Sequence, residues 1–143
     1  MMPKLPAGLD VYLRRHVVTM FFFGFSSGLP LLLVFSTLSY WLRDAGVSLA
    51  VIGTFSIARM PYSLKFLWAP LIDRSRPFPG LGHRRGWIVP TQLLTAGGIA
   101  LMAFVEPTDI TVLFVLCMAI AVSMSTQDIA TDGYATTRLT ADN

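Results

Sequence analysis

Four long apolar stretches dominate the pattern of hydrophobic and polar positions along the chain, and short polar stretches separate them. The apolar stretches cover approximately residues 17–42, 50–72, 87–105 and 110–134. A helix of about 20 apolar residues crosses the roughly 30 Å hydrocarbon core of a bilayer. The pattern therefore predicts an all-α membrane protein with four transmembrane helices.

Glycine and proline interrupt the first two apolar stretches. Gly28 and Pro30 lie in the middle of the first stretch, and Pro61 and Pro70 lie in the second. Proline is tolerated in membrane helices where neighbouring helices or cavity water satisfy the freed carbonyl groups. Gly24 and Gly28 also have the GxxxG spacing, which lets another helix approach closely, but ordinary packing of small residues is the favoured interpretation.

Composition supports the membrane assignment, since 54% of the 143 residues are hydrophobic and only 13% are charged. The net charge of +3 does not indicate nucleic-acid binding, because the basic residues lie between apolar stretches and no base-stacking motif accompanies them. The single cysteine, Cys117, lies within an apolar stretch, so no disulfide within this sequence is possible.

Basic residues are distributed unevenly between the two sides of the predicted helices. Arg43 is alone on one side, and the other side holds Lys4, Arg14, Arg15, Arg74, Arg76, Arg84, Arg85 and Arg138. An excess of lysine and arginine marks the cytoplasmic side of a membrane protein. This distribution predicts that both termini are cytoplasmic and that the link at 106–109 lies on the far side.

The second apolar stretch carries two cations, Arg59 and Lys65. A cation near the bilayer midplane costs about 2.5 to 3.5 kcal/mol on insertion scales, so such residues usually face a bundle interior or a water-filled pathway. At helical spacing the two lie on different faces, and Tyr62, three residues from each, is placed to bridge them. Lys65 has an alternative, because its long side chain can reach the interface.

Two acids lie four residues apart near the end of the fourth stretch. Asp128 and Asp132 therefore share one helical face, with Gln127 and Ser125 nearby. Paired acids within a span are a candidate proton or cation site. The alternative is that they are hydrated, or paired with a cation, near the cytoplasmic end of the helix.

Motifs for other chemistry do not match the sequence. The glycine run PGLGHRRG follows no predicted strand and lacks the GxGxxG spacing, so it does not indicate phosphate binding. His16 and His83 have no partner at metal-ligand spacing, and no hydrolase pattern is present. The sequence predicts no cofactor, no metal site and no enzymatic activity.

Three strings carry a resemblance to a known family. They read GFSSGLPLLLVFSTLSYWLRDAGVSLAVIG, PYSLKFLWAPLIDR followed by RRGW, and STQDIATDGYA. Together they resemble the first four helices of the AmpG-type muropeptide permeases, a branch of the major facilitator superfamily that also contains acetyl-coenzyme A transporters. The resemblance extends from about Gly24 to Tyr134, which is almost the whole chain.

The resemblance implies a larger protein. Superfamily members have at least twelve helices, built from three-helix repeats around a midplane site, so residues 1–143 are expected to be an amino-terminal fragment whose partners include the remaining helices. Helices one and four are expected to line the cavity, which suits Ser26, Ser27, Gln127 and Asp128. The superfamily's conformational loop between helices two and three would contain Asp73, Arg74, Arg84 and Arg85.

The function implied by the charges and the resemblance is transport. We expect a segment of a proton-coupled permease of the bacterial inner membrane that imports a polar solute, with anhydromuropeptides as the first expectation. One alternative is a related permease for another anionic solute such as an acyl-coenzyme A. A second alternative is a four-helix membrane assembly or accessory protein that transports nothing.

Overall fold

The structure is a computed structural model that describes residues 15–141, with side chains described for residues 17–137. All regular secondary structure within the described residues is helical. Lys4 and Arg14, which contributed to the predicted topology, lie outside this range, and the side chains of Arg15 and Arg138 are not described. Four helical segments follow the four predicted apolar stretches.

The first segment, residues 15–44, continues through the proline that was expected to interrupt it. Helix α1 (Arg15–Leu32) contains both Gly28 and Pro30, and a π-helical turn (Leu33–Thr37) joins it to α2 (Leu38–Asp44). Proline lacks the amide hydrogen that would bond to a carbonyl group of the preceding turn, and π-helical turns are rare and occur mostly as single turns within α-helices. The irregularity therefore lies one turn later than expected.

The second segment, residues 49–74, is divided into short helices. Ser48 caps its first helix, because the Ser48 hydroxyl accepts a hydrogen bond from the Val51 amide at 3.4 Å. Pro61 and Pro70 each lie in the first turn of a helix, where a missing amide hydrogen costs little. The order is α3 (Leu49–Thr54), a 3-10 turn (Phe55–Arg59), α4 (Met60–Leu64), a 3-10 turn (Lys65–Leu67) and α5 (Ala69–Arg74).

The third and fourth segments are single helices, α6 (Arg85–Met102) and α7 (Ile110–Ala141), and they pack closely on each other. A Cβ atom placed on Gly98 of α6 would lie 2.7 Å from Cγ1 of Ile120 of α7. Helix α7 continues past the predicted boundary at residue 134, and the Thr137 hydroxyl donates a 2.7 Å hydrogen bond to the Gly133 carbonyl there.

The hydrophobic core joins the first segment, the second segment and α7. The rings of Phe55 and Phe114 meet edge to face with centroids 5.6 Å apart. Favourable ring geometry of this kind adds to the burial of apolar surface. The core residues include Phe35, Leu38, Leu42, Phe55, Ala58, Leu113, Cys117, Ile120 and Met124.

Among the described residues, two helices are long and apolar enough to cross a membrane by length and composition. They cover Val17–Asp44 and Ile110–Thr137, with 28 residues and a mean hydropathy of 2.0 each. The second segment does not qualify because its longest helices have six residues, and α6 is 18 residues long but includes Arg85 and Gln92. Two of the four predicted spans are therefore candidates, and the four-helix transmembrane arrangement stays a prediction.

Candidate functional site

A cavity of about 380 Å³ lies between α1, the second segment and α7. Each of the three segments contributes polar side chains, and α1 and α7 contribute apolar ones as well. The lining residues are Met20, Phe23, Gly24, Ser27, Gly28, Leu31, Tyr62, Lys65, Asp128, Thr131, Asp132, Tyr134 and Ala135.

An ion pair crosses the cavity from the second segment to α7. Lys65 Nζ lies 3.6 Å from Asp132 Oδ2, and the two side chains are 37% and 73% exposed. Because solvent reaches both groups, we expect the attraction to contribute little to folding, about 0 to 1 kcal/mol. The pair instead fixes where charge is located in the cavity.

Asp128 is half-buried one turn before Asp132, and groups from the other two segments surround it. Ser27 of α1, Lys65 of the second segment and Asp132 all lie near enough to the Asp128 carboxylate to act on it electrostatically. The predicted common face of the two acids is therefore the face that lines the cavity. With all groups ionised, one lysine and two aspartates give the lining a net charge of −1.

Tyr62 also lines the cavity, and its hydroxyl group is buried. Within the described residues this hydroxyl has no hydrogen-bond partner. A buried hydroxyl without a partner is unfavourable, so a solute group or a water that reached it would gain a hydrogen bond. Tyr62 therefore adds a neutral hydrogen-bonding group beside the charged ones.

Gly24 and Gly28 line the cavity rather than a helix contact. Among the described residues, no atom lies within 4 Å of a Cβ atom placed on either glycine, apart from their own helix and chain neighbours. The described part of the chain therefore forms no close helix contact at this GxxxG spacing. The missing side chains instead enlarge the cavity.

Three residues predicted for the pathway do not line this cavity. Arg59 points to the first segment, where its Cζ lies 4.9 Å from the centroid of the Phe35 ring, a cation–π geometry. Ser26 is exposed beside the cavity-lining Ser27, and Gln127 is buried at 9% exposure elsewhere on α7. Their proposed roles in the pathway stay predictions.

The loop between α5 and α6 touches α7 near the cavity. Arg84 Nη1 lies 3.6 Å from Asp73 Oδ1, so the pair joins the end of α5 to the start of α6. The Arg84 guanidinium also occupies the space that a Cβ atom on Gly133 would need. Arg74 and Arg85, predicted for the same loop function, are exposed.

Sequence reasoning missed several cavity residues. Thr131 is three residues after Asp128, so helical spacing alone would have placed it on the same face. Phe23 and Tyr134 form an edge-to-face contact across α1 and α7, with ring centroids 5.9 Å apart. No periodic signal indicates that contact, because it joins residues from distant parts of the chain.

Metal-ligand geometry is not found in the part of the chain that the structure describes. No group of three or more histidine, cysteine, aspartate or glutamate side chains there could hold a metal ion. The cavity thus offers hydroxyl groups, carboxylates and one ammonium group, which suit hydrogen bonding, ion pairing and proton exchange.

Comparison with known proteins identifies relatives among transporters. The anhydromuropeptide permease of Escherichia coli K12 is 39% identical over 135 residues, which is 94% of this chain and 27% of that permease. The putative transporter AmpG 4 of Rickettsia felis is 41% identical over 125 residues, which is 85% of this chain and 30% of that protein. The chain thus spans less than a third of the length of these relatives.

These relatives confirm the resemblance to AmpG-type permeases, and they are transporters rather than enzymes. No solved structure shows a significant match. The family model described as acetyl-coenzyme A transporter 1 matches residues 16–106, which is more than half of the chain. The chain therefore belongs to the acetyl-coenzyme A transporter 1 family.

Proposed function

We propose that this chain forms part of the solute cavity of a proton-coupled permease that imports anhydromuropeptides. The observation that carries the proposal is the charged cavity between three helical segments, with Lys65, Asp128 and Asp132 in its wall. Ionisable groups in apolar helices are costly and usually mark a solute or proton pathway. The Escherichia coli and Rickettsia relatives are named as permeases or transporters, which supports the same conclusion.

The lining groups match the chemistry of a sugar–peptide solute. Lys65 provides a positive charge for a carboxylate, and the hydroxyl groups of Tyr62, Ser27 and Thr131 can bond to sugar hydroxyls or peptide amides. A cavity of about 380 Å³ is small for such a solute. Further helices of the longer protein would complete the wall, as in permeases built from repeated helix bundles.

The charge of the cavity suggests how a proton is coupled to the solute. With Lys65 and both aspartates ionised, the net charge of −1 opposes the entry of an anion. A proton on Asp128 makes the wall neutral, so the solute carboxylate is no longer repelled and can approach Lys65. Asp128 is the proposed proton carrier because it is the less exposed of the two acids.

The proposed setting is the bacterial inner membrane, with four transmembrane segments and both termini in the cytoplasm. The first and fourth segments, which meet at the cavity, would be repeat equivalents in a major facilitator superfamily bundle. The loop with Asp73, Arg74, Arg84 and Arg85 would brace the helix ends during alternating access, and the Arg84–Asp73 pair supports that role.

Replacement of Asp128 tests the proposal. In the complete gene product, expressed in a permease-deficient bacterium, Asp128→Asn should abolish anhydromuropeptide uptake while the amount of protein in the membrane stays normal. Asp109→Asn is the matched control, because Asp109 is exposed in the link before α7 and does not line the cavity. Normal uptake by the Asp128→Asn variant would contradict the proposal and indicate that Asp128 is only a hydrated acid near a helix end.

An uncoupler tests the proton separately. If the proton gradient drives import, collapsing it should stop uptake by the unmodified protein within the same assay. Import that continues at the normal rate would contradict the coupling and leave the solute assignment intact.

The family match favours a second candidate, transport of an acyl-coenzyme A. Uptake of labelled acetyl-coenzyme A and labelled anhydromuropeptide into vesicles that contain the complete protein distinguishes the two. If a well-expressed protein moves neither solute, the result supports the remaining alternative, an assembly or accessory protein.

A further inference from the structure

The loop between α5 and α6 carries more positive charge than the described residues neutralise. Four arginines, at positions 74, 76, 84 and 85, lie in or beside it, and no acidic residue occurs from position 74 to position 105. Asp73 pairs with Arg84. Arg74, Arg76 and Arg85 are exposed and form no ion pair within the described residues. Three guanidinium groups therefore remain available to an external anion.

A hydrogen bond across the loop brings these three arginines to one place. The Trp87 indole Nε1 donates to the Ser75 carbonyl at 3.3 Å, which joins the start of the loop to the start of α6. Arg74 and Arg76 flank Ser75, and Arg85 lies two residues before Trp87. The three arginines therefore lie at the same end of the helices, close to the Trp87–Ser75 hydrogen bond.

The same loop exposes two large apolar side chains between the arginines. Phe78 and Leu81 are 48% and 47% exposed, and the Leu81 amide donates to the Phe78 carbonyl at 3.2 Å, so both belong to one turn. Gly86 is buried against the Phe78 backbone, with 3.6 Å from its Cβ position to the Phe78 amide nitrogen. Apolar side chains beside arginine are typical of a surface that contacts the headgroup region of a membrane.

We propose that the loop surface of Arg74, Arg76, Phe78, Leu81 and Arg85 binds the phosphate of an anionic phospholipid. Guanidinium groups suit phosphate because their planar forks donate two hydrogen bonds at once. Basic groups at the ends of membrane helices attract anionic headgroups. A lipid is favoured over a free phosphate because Phe78 and Leu81 can enter the acyl region beside the bound headgroup.

Lipid retention by the complete gene product tests the proposal. The protein is purified in detergent, incubated with phosphatidylglycerol or phosphatidylcholine, and analysed for bound lipid by native mass spectrometry. Phosphatidylglycerol should be retained several-fold more than phosphatidylcholine, and glycerol phosphate should not displace it. Arg76→Gln should lower phosphatidylglycerol retention about fivefold, and the triple variant Arg74→Gln/Arg76→Gln/Arg85→Gln on the order of a hundredfold.

Two further variants serve as controls. Arg43→Gln removes one exposed charge at the other end of the helices and should leave retention unchanged. The triple lysine variant keeps the charge, so it should fold and retain most of the preference for phosphatidylglycerol, even if the glutamine variant does not fold. Equal retention of the two lipids, equal losses from Arg43→Gln and Arg76→Gln, or displacement by glycerol phosphate would each overturn the proposal.

Discussion

Lys65 is the single cation among the described residues that line the cavity, and it faces two carboxylates. Its ion pair with Asp132 is open to solvent, so the pair adds little to stability. Its effect on the charge of the cavity is larger, because the loss of one ammonium group doubles the net negative charge. At the scale of a single residue, stability and transport should therefore respond differently.

We expect Lys65→Met to lower uptake of an anionic solute at least tenfold while lowering the free energy of unfolding by less than about 1 kcal/mol. The reason is that two aspartates then face the solute with no compensating cation. Thermal unfolding and uptake are measured on the same preparation, with Arg43→Met as an exposed control outside the cavity. Equal effects of the two variants on uptake would contradict the role given to Lys65.

At the scale of the helical elements, the sequence predicted which stretches are helical but not the rotation of side chains along the second segment. Apolar length identified all four segments, and Pro61 and Pro70 indicated where the second is broken. Helical spacing predicted different faces for Arg59 and Lys65, but not which of them faces the cavity, because that depends on the packing of the neighbouring segments. In the structure Lys65 faces the cavity, and Arg59 contacts Phe35.

At the candidate site as well, contacts within one helix could be predicted from the sequence, and contacts between segments could not. Spacing alone placed Asp128 and Asp132 together, because both lie on one regular helix. The partners from other segments, Ser27 and Lys65, were expected in the pathway through resemblance and through the cost of a buried cation. Their meeting around Asp128 depends on tertiary packing, which no local pattern contains.

The contact between α6 and α7 provides a test at the element scale. Gly98→Ala should destabilise the protein by about 1 to 3 kcal/mol, because its new methyl group would collide with Ile120. Gly97→Ala is the matched control, since nothing lies within 4 Å of its Cβ position among the described residues and alanine favours the helix. Thermal unfolding in detergent measures both.

If Gly98→Ala is as stable as Gly97→Ala, the close packing of α6 on α7 is not present in solution. Ile120→Ala alone should destabilise the core, but Gly98→Ala should cost less in that background than in the unmodified protein, because the atoms that collide with the new methyl group are gone. An equal cost of Gly98→Ala in both backgrounds would indicate that the cost arises elsewhere.

At the scale of the whole molecule, the distribution of basic residues leads to a topology that labelling can test. With Cys117 replaced by alanine, Thr108→Cys should react with a membrane-impermeant thiol reagent from the far side, and Gly80→Cys only from the cytoplasm. Both positions are exposed in loops at opposite ends of α6, so access to solvent is comparable. Labelling of position 108 from the cytoplasm alone would reverse the topology.

The free space beside Gly24 and Gly28 in the cavity has an evolutionary consequence. Alanine at either position would add one methyl group to the wall of the cavity without meeting any described neighbour, and it would favour the helix. One nucleotide change converts a glycine codon to an alanine codon. A narrower cavity is therefore one mutation away from this sequence, at no cost to the packing of the described helices.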